Sequence, residues 1–283
     1  MTAFTSTAYS RDLGDELRRL RETCTGLNGR NLAIKLGWDP SKVSNIEHGR
    51  ARASEIDLAQ LFTACGKDID FLEDFKRRYR HAFDQYFAQV PDNLRTLAMA
   101  EATATKITAY DIMTVHGLLQ TERYAHELMV QSEVEAPEDV DRFVALRIDR
   151  QAVMRRPSPP ECSFYIHEFA LRMRLGDAQL MEDQYLRLLF NTHILRIVPV
   201  TAMTAALYTK RTLFEFKNAS PVAYTESDLA KVFAQDSAAV TRSRALFERL
   251  DEIALDAEQS RSKLAEYVSG LRGDLHGSGT DLA

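Results

Sequence analysis

The sequence is poor in cysteine. Its three thiols, Cys24, Cys65 and Cys162, are odd in number, far apart and never in a CxxC pair. That excludes a disulfide framework and a zinc knuckle, and it points to a reducing compartment. Long apolar runs are also missing: none approaches the ~18–20 residues a membrane-crossing helix needs. Met1–Ser10 lacks the basic start and apolar core of a secretory leader. No membrane partner is therefore expected, and the expected location is the cytoplasm, in association with the nucleoid. Catalytic signatures are absent as well. There is no P-loop, no GxGxxG and no GxSxG, and His167-Glu168 does not open an HExxH because Leu171 stands at the second histidine position. An enzyme is not expected, and neither a cofactor nor a metal is implied. Positive charge is the last shortage: 36 Lys+Arg against 41 Asp+Glu leave a net charge of −5. Taken whole, that balance discourages nucleic acid as a partner.

Dividing the charge changes its meaning. Residues 1–80 carry a net of +2, residues 1–52 a net of +3, and residues 81–283 a net of −7. The positive end coincides with a series of short helices. Leu13, Leu17 and Leu20 recur at helical spacing. Asn28 is placed to cap a second helix carrying Leu32, Ala33 and Leu36, which Gly37 ends. Asp39-Pro40 pairs an N-cap carboxylate with proline at the first helical position, and Gly49 fits just past the end of the third helix. Ile56–Cys65 and Asp70–Phe87 read as two more helices.

Beyond Pro91–Asn93, Leu94–Ala109, Thr121–Gln131 and Pro137–Arg156 read as helical. Ser163–His167, Ile194–Val200, Thr212–Phe216 and Val222–Thr225 are short, β-branched or aromatic, and read as antiparallel strands. Asp177–Asn191 and Asp228–Gly270 return to helix. The expected fold class is an N-terminal all-α helix-turn-helix domain followed by a larger α+β domain with a small antiparallel sheet. The expected divisions are a flexible arm at 1–10, the helix-turn-helix domain at 11–80, a linker at 81–96, the α+β regulatory and dimerisation domain at 97–270, and a disordered tail at 271–283.

The segment 28–49 carries the chemistry. Two short helices meet at the turn Gly37-Trp38, the arrangement in which the second helix enters the major groove. At 100° per residue, Val43 and Ile46 share the core side of that second helix. Ser41, Ser44, Asn45 and His48 fall on the other side as base-reading candidates, since Asn can read adenine with two hydrogen bonds and Ser several bases. Lys42, Arg30, Arg50 and Arg52 flank this face and suit phosphates. Trp38 either packs over the hairpin or touches the DNA backbone. Arg142, Arg147, Arg150 and Arg155, on one helix with Asp149, read as a solvated face or an interface. The acidic run Glu133–Asp141 reads as a solvated loop.

Several of these residues resemble a known family. Leu17-Arg-Arg-Leu-Arg21, Gly26-Leu-Asn28, Leu32-Ala33, Leu36-Gly37 and Ser41–Gly49 (SKVSNIEHG) look like the phage-repressor (XRE) type of helix-turn-helix. The resemblance implies a structural ion pair between Arg21 and Glu47. Glu22–Thr25 is one residue longer than that pattern, which implies a bulged first turn. Glu101–Ile107, His116–Ala125, Arg147–Gln151 and Ile197-Val-Pro199 resemble the C-terminal domain of actinobacterial antitoxin-like regulators, in which His116 replaces a usual proline. The resemblance implies a transcription regulator of double-stranded DNA, acting as a homodimer on a pseudo-palindromic operator. Its C-terminal domain would dimerise and would meet a small partner protein or a small-molecule ligand.

Overall fold

The computed structural model describes residues 6–84, 86–89, 95–133, 136–202, 204, 207–227 and 230–277. Five helices come first: α1 (Ala8–Thr25), α2 (Gly29–Leu36), α3 (Pro40–Glu47), α4 (Glu55–Ala64) and α5 (Ile69–Tyr79). Their ends follow local chemistry. Asn28 and Asp39 each accept a backbone N–H from two or three residues ahead, and Gly26 and Gly37 close helices in the left-handed region. Leu13, Leu17, Leu32, Val43, Ile46, Leu58, Leu61, Phe62 and Phe75 are all at most 2% exposed and form the shared core.

The expected arm at 1–10 differs. Residues 1–5 lie outside the described residues, but Thr7 caps α1 and forms a capping box with Ser10. Thr7, Ala8, Tyr9 and Ser10 are buried. Thr7 Oγ1 donates to the Ala82 carbonyl at 2.5 Å, and the Ala8 amide donates to Gln235 Oε1 at 2.5 Å. The box hides in sequence because its third residue is serine rather than the usual glutamate or glutamine. The first turn does not bulge either: the extra residue is absorbed into α1, which runs unbroken to Thr25.

A seven-stranded sheet follows, built from β1 (Tyr86–Gln89), β2 (Lys106–Asp111), β3 (Glu161–His167), β4 (Leu195–Val198), β5 (Arg211–Glu215), β6 (Val222–Glu226) and β7 (Lys231–Ala234). The order is β1-β7-β6-β5-β2-β3-β4. The sheet is mixed, not purely antiparallel. β2, β3 and β4 run parallel, and the pairs from β2 through β5, β6 and β7 to β1 run antiparallel. Parallel neighbours need crossovers. Here α7 (Glu122–Ser132) and α8 (Val140–Arg150) supply one, and α9 (Glu168–Arg172) and α10 (Ala178–Leu189) the other. The expected helix 94–109 is α6 (Arg95–Thr103) followed by β2, and the expected helix 228–270 begins with β7. The expected linker 81–96 holds β1 and the start of α6. α12 (Ala257–Gly277) continues into the expected tail, whose residues 278–283 lie outside the described ones.

Residues alternate between the two faces of the sheet. Ile107, Ala109, Phe164, Ile166, Leu195, Ile197 and Phe214 join the larger core with α6, α10 and α12. Tyr110, Tyr165, Val198 and Leu213 face α11 (Ser237–Ile253) through Val240, Phe247 and Leu250. α6 touches both regions. Thr96 Oγ1 donates to Asp12 Oδ2 at 2.6 Å, and Arg95 Nε lies 2.7 Å from Asp12 Oδ1.

Candidate nucleic-acid interface

The interface is built from how α3 is seated. Val43 and Ile46 pack inward, and Glu47 is buried beside them. Glu47 meets Arg21 of α1 in a two-pronged pair: Nε donates to Oε1 at 2.6 Å and Nη2 to Oε2 at 2.9 Å. Arg21 Nη1 also donates to the Leu27 carbonyl at 2.6 Å, so one guanidinium links α1, the first turn and α3. Hydrogen bonding to Glu47 holds the Arg21 pKa above its usual value, against the opposing effect of burial. Such a pair supports structure only when its remaining groups are satisfied, and here they are.

Two glycines set how closely α3 approaches α1. A Cβ at Gly14 would fall 2.6 Å from the Glu47 carbonyl oxygen. At Gly49, with φ +63°, a Cβ would fall 2.4 Å from the Ser10 backbone. Ser10 Oγ donates to the Gly49 carbonyl at 2.9 Å. Backbone therefore packs on backbone at both places, and only glycine fits.

Ser41, Ser44 and His48 stand exposed on the outer side of α3, and Asn45 is half-buried. The Ser41 hydroxyl and amide hydrogen-bond the Asp39 cap, which lowers that carboxyl below its usual range. Asn45 makes no side-chain hydrogen bond among the described residues; its carbonyl instead accepts from the Arg50 amide at 2.7 Å. His48 Nδ1 lies 2.7 Å from the Ser44 carbonyl. A carbonyl can only accept, so Nδ1 carries the proton of this bond and Nε2 is the ring nitrogen left over.

The flanking cations divide. Arg30 and Arg50 are exposed, with no ion pair among the described residues. Arg52 is exposed, and its Nη2 donates to the Arg80 carbonyl at 3.0 Å. Lys42 is engaged inside the protein: Nζ lies 2.6 Å from Asp57 Oδ1 and 4.5 Å from the centre of the Trp38 ring. Burial raises the Asp57 carboxyl, but hydrogen bonds from Lys42 and Ser54 outweigh it and hold the pKa low. Trp38 Nε1 donates to Gln60 Oε1 at 3.0 Å, so the tryptophan closes over the hairpin. Sequence reasoning missed Gly14, Ser10, Asp57 and Gln60. Only Gly14 left a trace, as a glycine in the middle of a helix where it otherwise costs stability.

Residues 12–74 match the family model described as a helix-turn-helix domain. Residues 94–266, more than half of the chain, match the model described as domain of unknown function (DUF5753). The chain belongs to the DUF5753 family. No match was found among curated proteins or among solved structures. The DUF5753 region takes in α6 through the first half of α12 and six of the seven strands, while β1 lies between the two matched segments. The helix-turn-helix match supports DNA binding and transcription regulation, and neither match names a catalytic family. Among the described residues, no helix is long and apolar enough to cross a membrane.

Proposed function

We propose that this DUF5753 protein is a sequence-specific transcription regulator that reads the major groove with α3, as a dimer on a pseudo-palindromic operator. The observation that supports this reading most is the seat of α3. Val43, Ile46 and Glu47 are locked inward, while Ser41, Ser44 and His48 stand exposed on the opposite side, where their polar groups can meet base edges. Asn45 reads an adenine edge, and His48 meets a base edge through Nε2. Arg30, Arg50 and Arg52 hold phosphates, as does the N-terminus of α3. Lys42 reaches DNA only by leaving Asp57, so it contributes less than the three arginines. The DUF5753 region dimerises and receives a signal, which α6 is placed to relay because it contacts α1 directly.

Selecting bound genomic fragments tests the proposal. The expected result is a palindrome with half-sites about 10 bp apart, or a multiple; fragments with no shared sequence would overturn it. On that operator Asn45→Ala costs about 1–3 kcal/mol and relaxes one base position, whereas Arg50→Ala weakens all sequences alike and lowers the salt slope by about one.

A further inference from the structure

The DUF5753 region holds a cavity of about 310 Å³ between one face of the sheet and the helices α6, α7 and α8. Its lining is unusual for a protein interior. On the sheet side, Asp111, Thr212, Tyr224, Glu226 and Lys231 all point to the same face, as the strand registers require. On the helix side stand Glu101 of α6 and Arg147 and Arg150 of α8, and His116 and Lys210 complete the charged lining. Arg147 and Arg150, one turn apart, are thus not part of a solvated face. They turn into the domain.

Most of these charges are matched. Arg150 donates to both oxygens of Glu101, at 2.7 and 2.6 Å. Lys210 Nζ donates to Glu226 Oε1 at 2.8 Å, and Tyr224 donates to Oε2 at 2.5 Å. Burial alone would raise the Glu226 carboxyl, but these partners bring it down to about 2. Two groups are left over. Among the described residues, Arg147 bonds only to Gln120, through Nη1 at 3.0 Å, and its Nε is buried without a partner. No carboxylate lies within ion-pair distance of it among the described residues. Asp111, 9% exposed, has no side-chain hydrogen bond among the described residues, and burial pushes its carboxyl up to about 7. His116 is kept neutral, its pKa driven down to about 3 by burial and then by Arg150.

A cation partly withdrawn from water without a counter-ion in contact is costly. Small-molecule sites are concave, start near 300 Å³ and carry a few convergent polar groups. We propose that this cavity binds a small organic anion, a carboxylate or phosphate compound that also carries a hydroxyl or amino donor. Arg147 supplies the missing counter-charge for the acid, Arg150 completes a two-arginine clamp, and Asp111 accepts from the donor on the opposite wall. This deepens the signal-receiving role proposed above and rests on it only for the effect on DNA. α6 is the physical link. Its Glu101 faces the cavity and pairs with Arg150, while Thr96 and Arg95 near its start hold Asp12 of α1. An anion that draws Arg150 away from Glu101 acts on the helix that supports α1.

The test is calorimetric titration of the full chain, without DNA, using glutamate, citrate, inorganic phosphate and glucose 6-phosphate, with spermidine as a cationic control. The expected result is saturable binding of at least one anion and none of spermidine. Removing one charge-assisted bond with Arg147→Met should then weaken binding roughly ten- to a hundredfold. Arg142→Met changes an outward residue on the same helix and should leave binding unchanged. Asp111→Asn, as a second cavity variant, should weaken a ligand that carries an amine more than inorganic phosphate. Glutamate or citrate binding without the phosphate compounds identifies a carboxylate; the reverse identifies a phosphate. Absence of binding by all four anions, or equal binding to the parent and both cavity variants, overturns the site. Anion binding that leaves operator affinity unchanged keeps the site and removes its role as a signal to the DNA-binding helices.

Discussion

The two regions treat buried charge in opposite ways. In the helix-turn-helix, Arg21 and Glu47 saturate each other, and the Leu27 carbonyl and Glu22 take what remains. In the DUF5753 region, Glu101 and Glu226 are saturated, but Arg147 and Asp111 in the same cavity are not. A closed polar network fixes a geometry, and a partly open one leaves capacity for a further partner. The difference assigns α3 a fixed pose and the cavity an adjustable one.

The largest break in this comparison comes from Glu47→Ala. It leaves the buried Arg21 guanidinium with only the exposed Glu22, at 3.3 Å, as a counter-charge and should cost about 3–5 kcal/mol in chemical denaturation; a loss below 1 kcal/mol would make the pair an ornament of the fold. The next effect is in pH. The folded Asp111 pKa, about 7, lies above the ~3.9 of an unfolded aspartate. The folded state thus holds this proton more tightly, so its contribution to stability is complete below about pH 4 and is lost as pH rises to 7. His116 acts in the reverse sense, losing stability as pH falls from ~6.5 toward 3. Melting curves of Asp111→Asn against the parent separate the two: the variant should gain relative stability between pH 4 and 7, and a constant difference would refute the Asp111 shift. Lys42→Met removes a partly exposed pair with Asp57 and should cost only about 0.2–1 kcal/mol. The smallest effect sharpens the comparison most. Arg147→Met, without ligand, should leave the melting temperature unchanged or slightly higher, because no ion pair is broken.

What could be read from the residues follows the range of the forces. Asn28, Gly37, Asp39-Pro40 and Gly49 act within a turn of themselves, so the limits of α2 and α3 were legible. The strands of the second region were legible where β-branched and aromatic residues cluster, as in β3 and β6. β2 was not: Lys106–Asp111 follows the alanine-rich α6 with neither glycine nor proline between them. β7 is only four residues long and abuts a helix. With β2 unseen, its parallel pairing with β3 was invisible too. The cavity was hidden for a further reason. Arg150 looks like a surface arginine until Glu101, 49 positions away in the chain, is folded against it. Burial of charge is a property of distant partners and leaves no mark in the local pattern.

β1 has its own consequence. Four residues from between the two matched segments pair with β7 and cover what would otherwise be the rim of the sheet. The helix-turn-helix and the DUF5753 region are therefore stitched together and do not hang as separable beads. A fragment cut to begin at Arg95 would bare the unpaired hydrogen-bonding groups of β7, an invitation to strand-on-strand aggregation. A fragment beginning before Tyr86 would keep that seam closed. Exchange of DNA-binding heads among such proteins would have to carry this strand along with the head.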